Sequence, residues 1–176
     1  MKNILLTGVP GIGKTTIIKK ILDYIKIPAG GFYTQEIRLG GGRIGFEIVT
    51  LKGEKAPLAN RNVRSKYMVG DYGVIVENIE RVAVNSLADA LKENKLIVID
   101  EIGKMELFSE EFKKAVLSCL DSEKIVLATV TEAKIPFVNE ILKRDDVDIF
   151  QITTKNRNQM SGDLRDMVWE MVKEGL

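Results

Sequence analysis

The 176-residue chain has no histidine and a single cysteine, Cys119, and these two absences narrow its chemistry first. Without imidazole there is no Ser-His-Asp triad, no histidine-ligated zinc and no histidine switch near neutral pH. One thiol makes neither an internal disulfide nor a multi-cysteine metal site, and it suits a reducing, cytoplasmic setting. Excess charge of one sign is also missing: 26 Lys and Arg stand against 25 Asp and Glu, a formal net charge of +1. Nucleic-acid binders usually carry a larger basic surplus, so no nucleic-acid partner is expected. No apolar run approaches the roughly 20 residues of a membrane span, and the stretch Met1 to Leu6 is too short for a secretory leader, so no membrane partner is expected either. The four prolines are isolated, with no linker, repeat or low-complexity tract between them. Residues 1–176 therefore read as a single domain. Carboxylates, lysine, arginine, hydroxyls, backbone amides and a borrowed metal are the chemistry that remains.

Hydrophobic residues make up 45% of the chain and charged residues 29%, the balance of a folded soluble domain. Ile4-Leu5-Leu6 reads as a short buried strand. The segment after it carries Ile17, Ile18, Ile21, Leu22 and Ile25 at helical spacing and ends before Pro28. Gly31 to Ile37 and Ile44 to Leu51 flank Gly40-Gly41-Gly42, a hairpin signal, and Val74-Ile75-Val76 is a further strand candidate. From Ile79 to Leu91 the pattern is helical, with Val84, Leu87, Ala88 and Leu91 on one side. Leu96 to Ile99 is an apolar run of the kind buried in a parallel sheet. Ser109 is placed to N-cap a helix with Glu110 and Glu111 in its first turn and a stripe of Phe112, Ala115, Val116, Cys119 and Leu120, which makes Cys119 a core residue. Ile125 to Val130 is another strand, and Pro136 opens a helix through Leu142. Val147 to Ile152 is the last strand, and Leu164, Met167, Val168, Met171 and Val172 mark the last helix, its methionines read as core. Strands alternating with helices predict a three-layer α/β fold on a mainly parallel sheet, with the early hairpin as an antiparallel appendage.

Two short strings carry the chemistry. Gly8-Val9-Pro10-Gly11-Ile12-Gly13-Lys14-Thr15, followed by Thr16, fits G-x-x-x-x-G-K-[ST] between a strand and a helix, the context a phosphate-binding loop requires. Side-chain-poor backbone lets successive amides converge on phosphates, and the following helix aims its positive end at the same place. Lys14 would reach the outer phosphates and the Thr15 hydroxyl would bind Mg²⁺. The second string is Asp100-Glu101 at the end of the apolar run from Leu96. A strand neighbouring Ile4 to Leu6 would deliver Asp100 to the carboxyl edge of the sheet, beside Thr15, to hold Mg²⁺ through water. Glu101, one residue on, would polarise the attacking water.

Asp100-Glu101-Ile102-Gly103-Lys104-Met105-Glu106-Leu107 resembles the signature of the cancer-related nucleoside-triphosphatase family, also described as thermophile nucleoside-triphosphatase/phosphotransferase proteins. The phosphate loop, Gly31-Phe32-Tyr33-Thr34 with Glu36, Arg43 to Phe46 leading to Val49-Thr50-Leu51, and Asn156-Arg157-Asn158 agree with it in order, so the likeness spans nearly the whole chain. It implies a RecA-like P-loop NTPase that uses Mg²⁺ to cleave the β–γ bond of ATP, GTP and other nucleoside triphosphates. It also implies Lys14, Thr15 and Asp100 as phosphate and metal residues and Glu101 as the base. Lys104 is open between an approach to the γ-phosphate and a pair with Glu106.

Phosphoryl transfer also calls for a cation against the γ-oxygens. Arg157 is the first candidate, with Arg38, Arg43, Arg61 and Arg64 of the hairpin region behind it. Asn156 and Arg157, after the last strand, are placed to meet the nucleotide base. Their string lacks the guanine-specifying N-K-x-D pattern, so weak base selection is expected. Phe32 and Tyr33 either wall the γ-phosphate side or belong to the hairpin core. A nucleoside-triphosphatase, for which a monomer suffices, is thus the first reading. A kinase-like phosphotransferase with an acceptor site near Arg61 and Arg64, or a slow nucleotide-gated binding module, are the alternatives.

Overall fold

In the computed structural model, which describes residues 2–175, the apolar runs sit where their burial requires. β1 (Asn3–Thr7), β7 (Leu96–Ile102) and β8 (Ile125–Val130) are all but wholly buried, and β9 (Val147–Gln151) closes one edge. These four join the first half of β2 (Ala29–Leu39) in a parallel block ordered β2-β7-β8-β1-β9. Beyond β2 the sheet continues antiparallel through β3 (Gly42–Thr50), β4 (Lys55–Asn60), β6 (Tyr72–Val74) and β5 (Met68–Val69), giving nine strands among the described residues. The predicted hairpin is therefore present as β2 and β3, and its first strand is also the outer strand of the parallel block. β4 and β5 have no expectation behind them: Pro57 interrupts the one, although Ala56, Leu58 and Ala59 are buried, and the other is only two residues long.

Helices cover both faces, as a sheet buried on two sides demands. On one face α1 (Lys14–Ile25) and α6 (Arg157–Glu174) press Ile17, Ile18, Ile21, Leu164, Val168 and Val172 against Ile4, Leu6 and Leu127. The other face carries a helical run over 76–93, α4 (Glu110–Asp121) and α5 (Pro136–Leu142), which bury Leu87, Phe112, Val116, Cys119 and Ile141. Phe112 meets Phe32 edge to face, their ring centroids 6.0 Å apart. Phe32 is thus core rather than a wall of the nucleotide cleft.

Two expectations are corrected here. The run over 76–93 is α2 (Val76–Asn78), a π-helical stretch Ile79–Val84, and α3 (Asn85–Glu93). The wider π turns displace the stripe, so Ile79, Val82, Ala83, Leu87 and Ala90 are buried while Ala88 is exposed. In α6, Met167 is 36% exposed rather than core. Ser109 caps α4 as expected, accepting a hydrogen bond from the Phe112 N–H at 3.1 Å. Cys119 is fully buried in that helix, and burial pushes its thiol up to about 12. Among the described residues no helix is long and apolar enough to cross a membrane.

Candidate active site

The loop Gly8 to Gly13 joins β1 to α1 at the carboxyl edge of the parallel block. Two of its glycines are needed for different reasons. Gly8 has φ +150° and its missing Cβ would stand 2.7 Å from the Ile152 carbonyl oxygen, so the loop lies directly against the end of β9. Gly13, at φ +110°, meets nothing within 4 Å; here the left-handed backbone that turns the chain into α1 selects glycine. Lys14 follows, 8% exposed, and its Nζ donates to the Gly8 carbonyl at 2.5 Å. The lysine is folded back over its own loop, at the place where phosphate oxygens would be received. Thr16 is exposed one residue beyond Thr15.

Asp100 does arrive beside Thr15, although β8 lies between its strand and β1. The Thr15 hydroxyl donates to Asp100 Oδ2 at 2.6 Å, and the buried Thr129 hydroxyl of β8 donates to Oδ1 at 2.5 Å. The ladder between β7 and β8 shifts between Ile99 and Ile102: Ile99 pairs with Ala128 and Ile102 with Val130. Two residues, Asp100 and Glu101, therefore face one, Thr129, and a bulge of this kind re-aims side chains. Asp100 is 1% exposed. Burial pushes its carboxyl above the usual range, while Thr129, Thr15 and the charge of Lys14 pull it down. A threonine hydroxyl and a carboxylate oxygen at contact distance are a hard-oxygen pair of the type Mg²⁺ prefers, so these residues fit that ion.

Glu101 is half-buried, and its Oε2 lies 3.9 Å from Lys14 Nζ. Burial raises its proton affinity, Lys14 opposes the rise, and Asp100 adds to it. Lys14, Thr15, Asp100 and Glu101 are thus brought together by two elements, the first turn of α1 and the end of β7.

The remaining candidates fall differently. Arg157 opens α6, and its Nη1 donates to the Ile12 carbonyl of the loop at 3.4 Å. The Asn156 side chain is taken up by its own turn: its Oδ1 accepts from the Thr153 N–H at 2.8 Å and its Nδ2 donates to the Gln151 carbonyl at 2.8 Å. Arg38 and Arg43 grip Glu36 at 2.7 and 3.1 Å, and Arg61 lies over the Tyr72 ring at 5.4 Å. Tyr33 pairs with Asp100 across the strands, and Arg38, five residues further along β2, stands roughly 16 Å beyond that pair. The hairpin arginines are therefore set apart from the loop. Lys104 is exposed and forms no ion pair with Glu106, which is itself 4% exposed. Sequence reasoning did not single out Thr129, whose signal is one hydroxyl inside Ile125-Val126-Leu127-Ala128-Thr129-Val130.

Comparison with known proteins identifies the family and the fold. A family model described as NTPase matches residues 3–164. A Thermotoga sp. (strain RQ2) protein named nucleoside-triphosphatase THEP1 is 49% identical over 92% of each chain. The cancer-related nucleoside-triphosphatase of Homo sapiens is 40% identical over 93% of this chain and 94% of its own. The crystal structure of THEP1 from Aquifex aeolicus superposes with a TM-score of 0.85 at 38% identity, covering 92% of this chain and 96% of that one. With the family model matched over residues 3–164 and relatives 40–49% identical over more than nine-tenths of the chain, the chain belongs to the NTPase family.

Proposed function

We propose that the chain is a Mg²⁺-dependent nucleoside-triphosphatase that converts NTP and water to NDP and phosphate by cleaving the β–γ bond, with weak selection of the base. The observation that carries this reading is the convergence of Lys14, Thr15, Asp100 and Glu101 at one sheet edge. Backbone amides of the loop and the amino end of α1 would cradle the phosphates. Lys14 would swing from its Gly8 carbonyl toward the outer phosphate oxygens, drawn by their greater negative charge. Thr15 and Asp100 would hold Mg²⁺, which supplies charge neutralisation on the phosphate oxygens. With Lys14 drawn away, Glu101 would accept a proton from water as the water oxygen attacks the γ-phosphorus and the bond to the β-phosphate oxygen breaks. Arg157, already on the loop through the Ile12 carbonyl, is the cation best placed to meet the transferred charge. Weak base selection follows from Asn156, whose side-chain bonds go to its own turn. One copy supplies every group named here, so a monomer is sufficient.

Phosphate release measured on a panel of NTPs, NDPs and NMPs tests this directly. Release from several NTPs, one phosphate each and only with Mg²⁺, is the expected result; pyrophosphate as product, or turnover without a divalent ion, would overturn it. Thr129→Val should raise the Mg²⁺ concentration for half-maximal turnover about tenfold, the usual worth of a residue that orients a metal ligand. A titration of rate against Mg²⁺ reads this out.

A further inference from the structure

Glu106 is a buried carboxyl that the reaction above leaves without a task. It begins the 3₁₀ turn Glu106–Phe108 after β7 and is 4% exposed, yet none of the ion pairs among the described residues reaches it. Its neighbours within the turn are backbone amides, its own and that of Gly103. The side chain that shares its space is Glu101. A Cβ on Gly103 would lie 2.5 Å from Glu101 Oε1 and 2.9 Å from Glu106 Oε2, so the two carboxyls face each other across the gap that the glycine leaves. Gly103 is not among the residues with positive φ, so its backbone does not call for glycine. The space does. Glu101 therefore stands between a cation and an acid: Oε2 is turned to Lys14, and Oε1 to Glu106.

We propose that Glu106 is a positioning residue for Glu101, donating a hydrogen bond through the gap at Gly103, directly or by one water, that keeps the Glu101 carboxylate aimed at the attacking water. A buried carboxylate this close to a half-buried one, with no cation of its own, cannot stay charged at tolerable cost. Burial and the neighbouring charges of Glu101 and, further off, Asp100 hold the Glu106 carboxyl well above the usual carboxylate range, which leaves it a proton to donate. The contact gains importance once a triphosphate takes Lys14, because the cation that steadies Oε2 is then gone. The inference rests on Glu101 as the base and deepens that reading.

Three variants of the full chain test it, each read by kcat, KM and melting temperature. Glu106→Met keeps the volume and removes a lone buried acid, so it should be at least as stable as the parent. Its kcat should nevertheless fall about tenfold or more, the order that a misplaced reacting group costs, at unchanged KM. Glu106→Gln keeps a donor and should restore most of the rate. Gly103→Ala drives a methyl between the two carboxyls and should reproduce the Met variant, and it decides the matter if that variant fails to fold. Parental kcat in Glu106→Met or Gly103→Ala, or a Gln variant as slow as Met, would overturn the assignment. Full activity in Glu101→Gln would instead sink the base itself, so the two failures are distinguishable.

Discussion

Glu101→Gln should retain Mg²⁺-NTP binding and lose at least ~10²-fold in kcat, the customary contribution of a placed proton acceptor. Glutamine keeps the shape of the side chain and its place 3.9 Å from Lys14 Nζ, but an amide takes no proton from water. The binding groups, Lys14, Thr15 and Asp100, are untouched. Single-turnover rates beside a thermal-shift titration separate the two effects. A variant that turns over at the parental rate would remove Glu101 from the reaction, and one that no longer binds would make it a ligand group instead.

Lys14→Ala should act on the other side of that division. Its Nζ is held by one backbone carbonyl and a 3.9 Å ion pair with half-buried Glu101, neither of which joins the core, so the unliganded protein should stay folded and melt at or a little below the parental temperature. What should vanish is stabilisation by Mg²⁺-NTP. A ligand at one hundred times its Kd stabilises a protein by about 2.7 kcal/mol, which for a chain of this length is a rise of roughly 5 to 10 °C. Loss of that rise, with the resting melting temperature kept, is the expected outcome. An undiminished rise would place the nucleotide elsewhere on the molecule.

How much of this was legible beforehand depended on whether the governing interaction is local. The loop from Gly8 to Thr15 could be read because its glycines answer to backbone conformation and close approach, both written in adjacent residues. Asp100 and Glu101 were legible because two charges ending a buried strand have few other places to go. The order of strands was not: nothing near Leu96 or Ile125 says that β8 lies between β7 and β1. For the same reason Thr129 stayed hidden, since its partner Asp100 is 29 residues away. Lys104 stood open between the γ-phosphate and a pair with Glu106, and the tight turn after β7 removes the pair by burying Glu106 and exposing Lys104. The π-helical stretch Ile79–Val84 defeated a reading that assumed one constant period.

The solitary thiol of the chain, on the buried side of α4, gives the protein an internal clock. Cys119 is fully buried, and its thiol is pushed up to about 12, so an alkylating reagent must wait for the layer over it to open. Because the chain offers no second thiol, the modification rate reports one event at one position. Should Mg²⁺-NTP slow that rate in step with its occupancy, opening at the far face of the sheet and release of the nucleotide edge belong to one cooperative unit. If the rate ignores the nucleotide, α4 breathes independently of the loop.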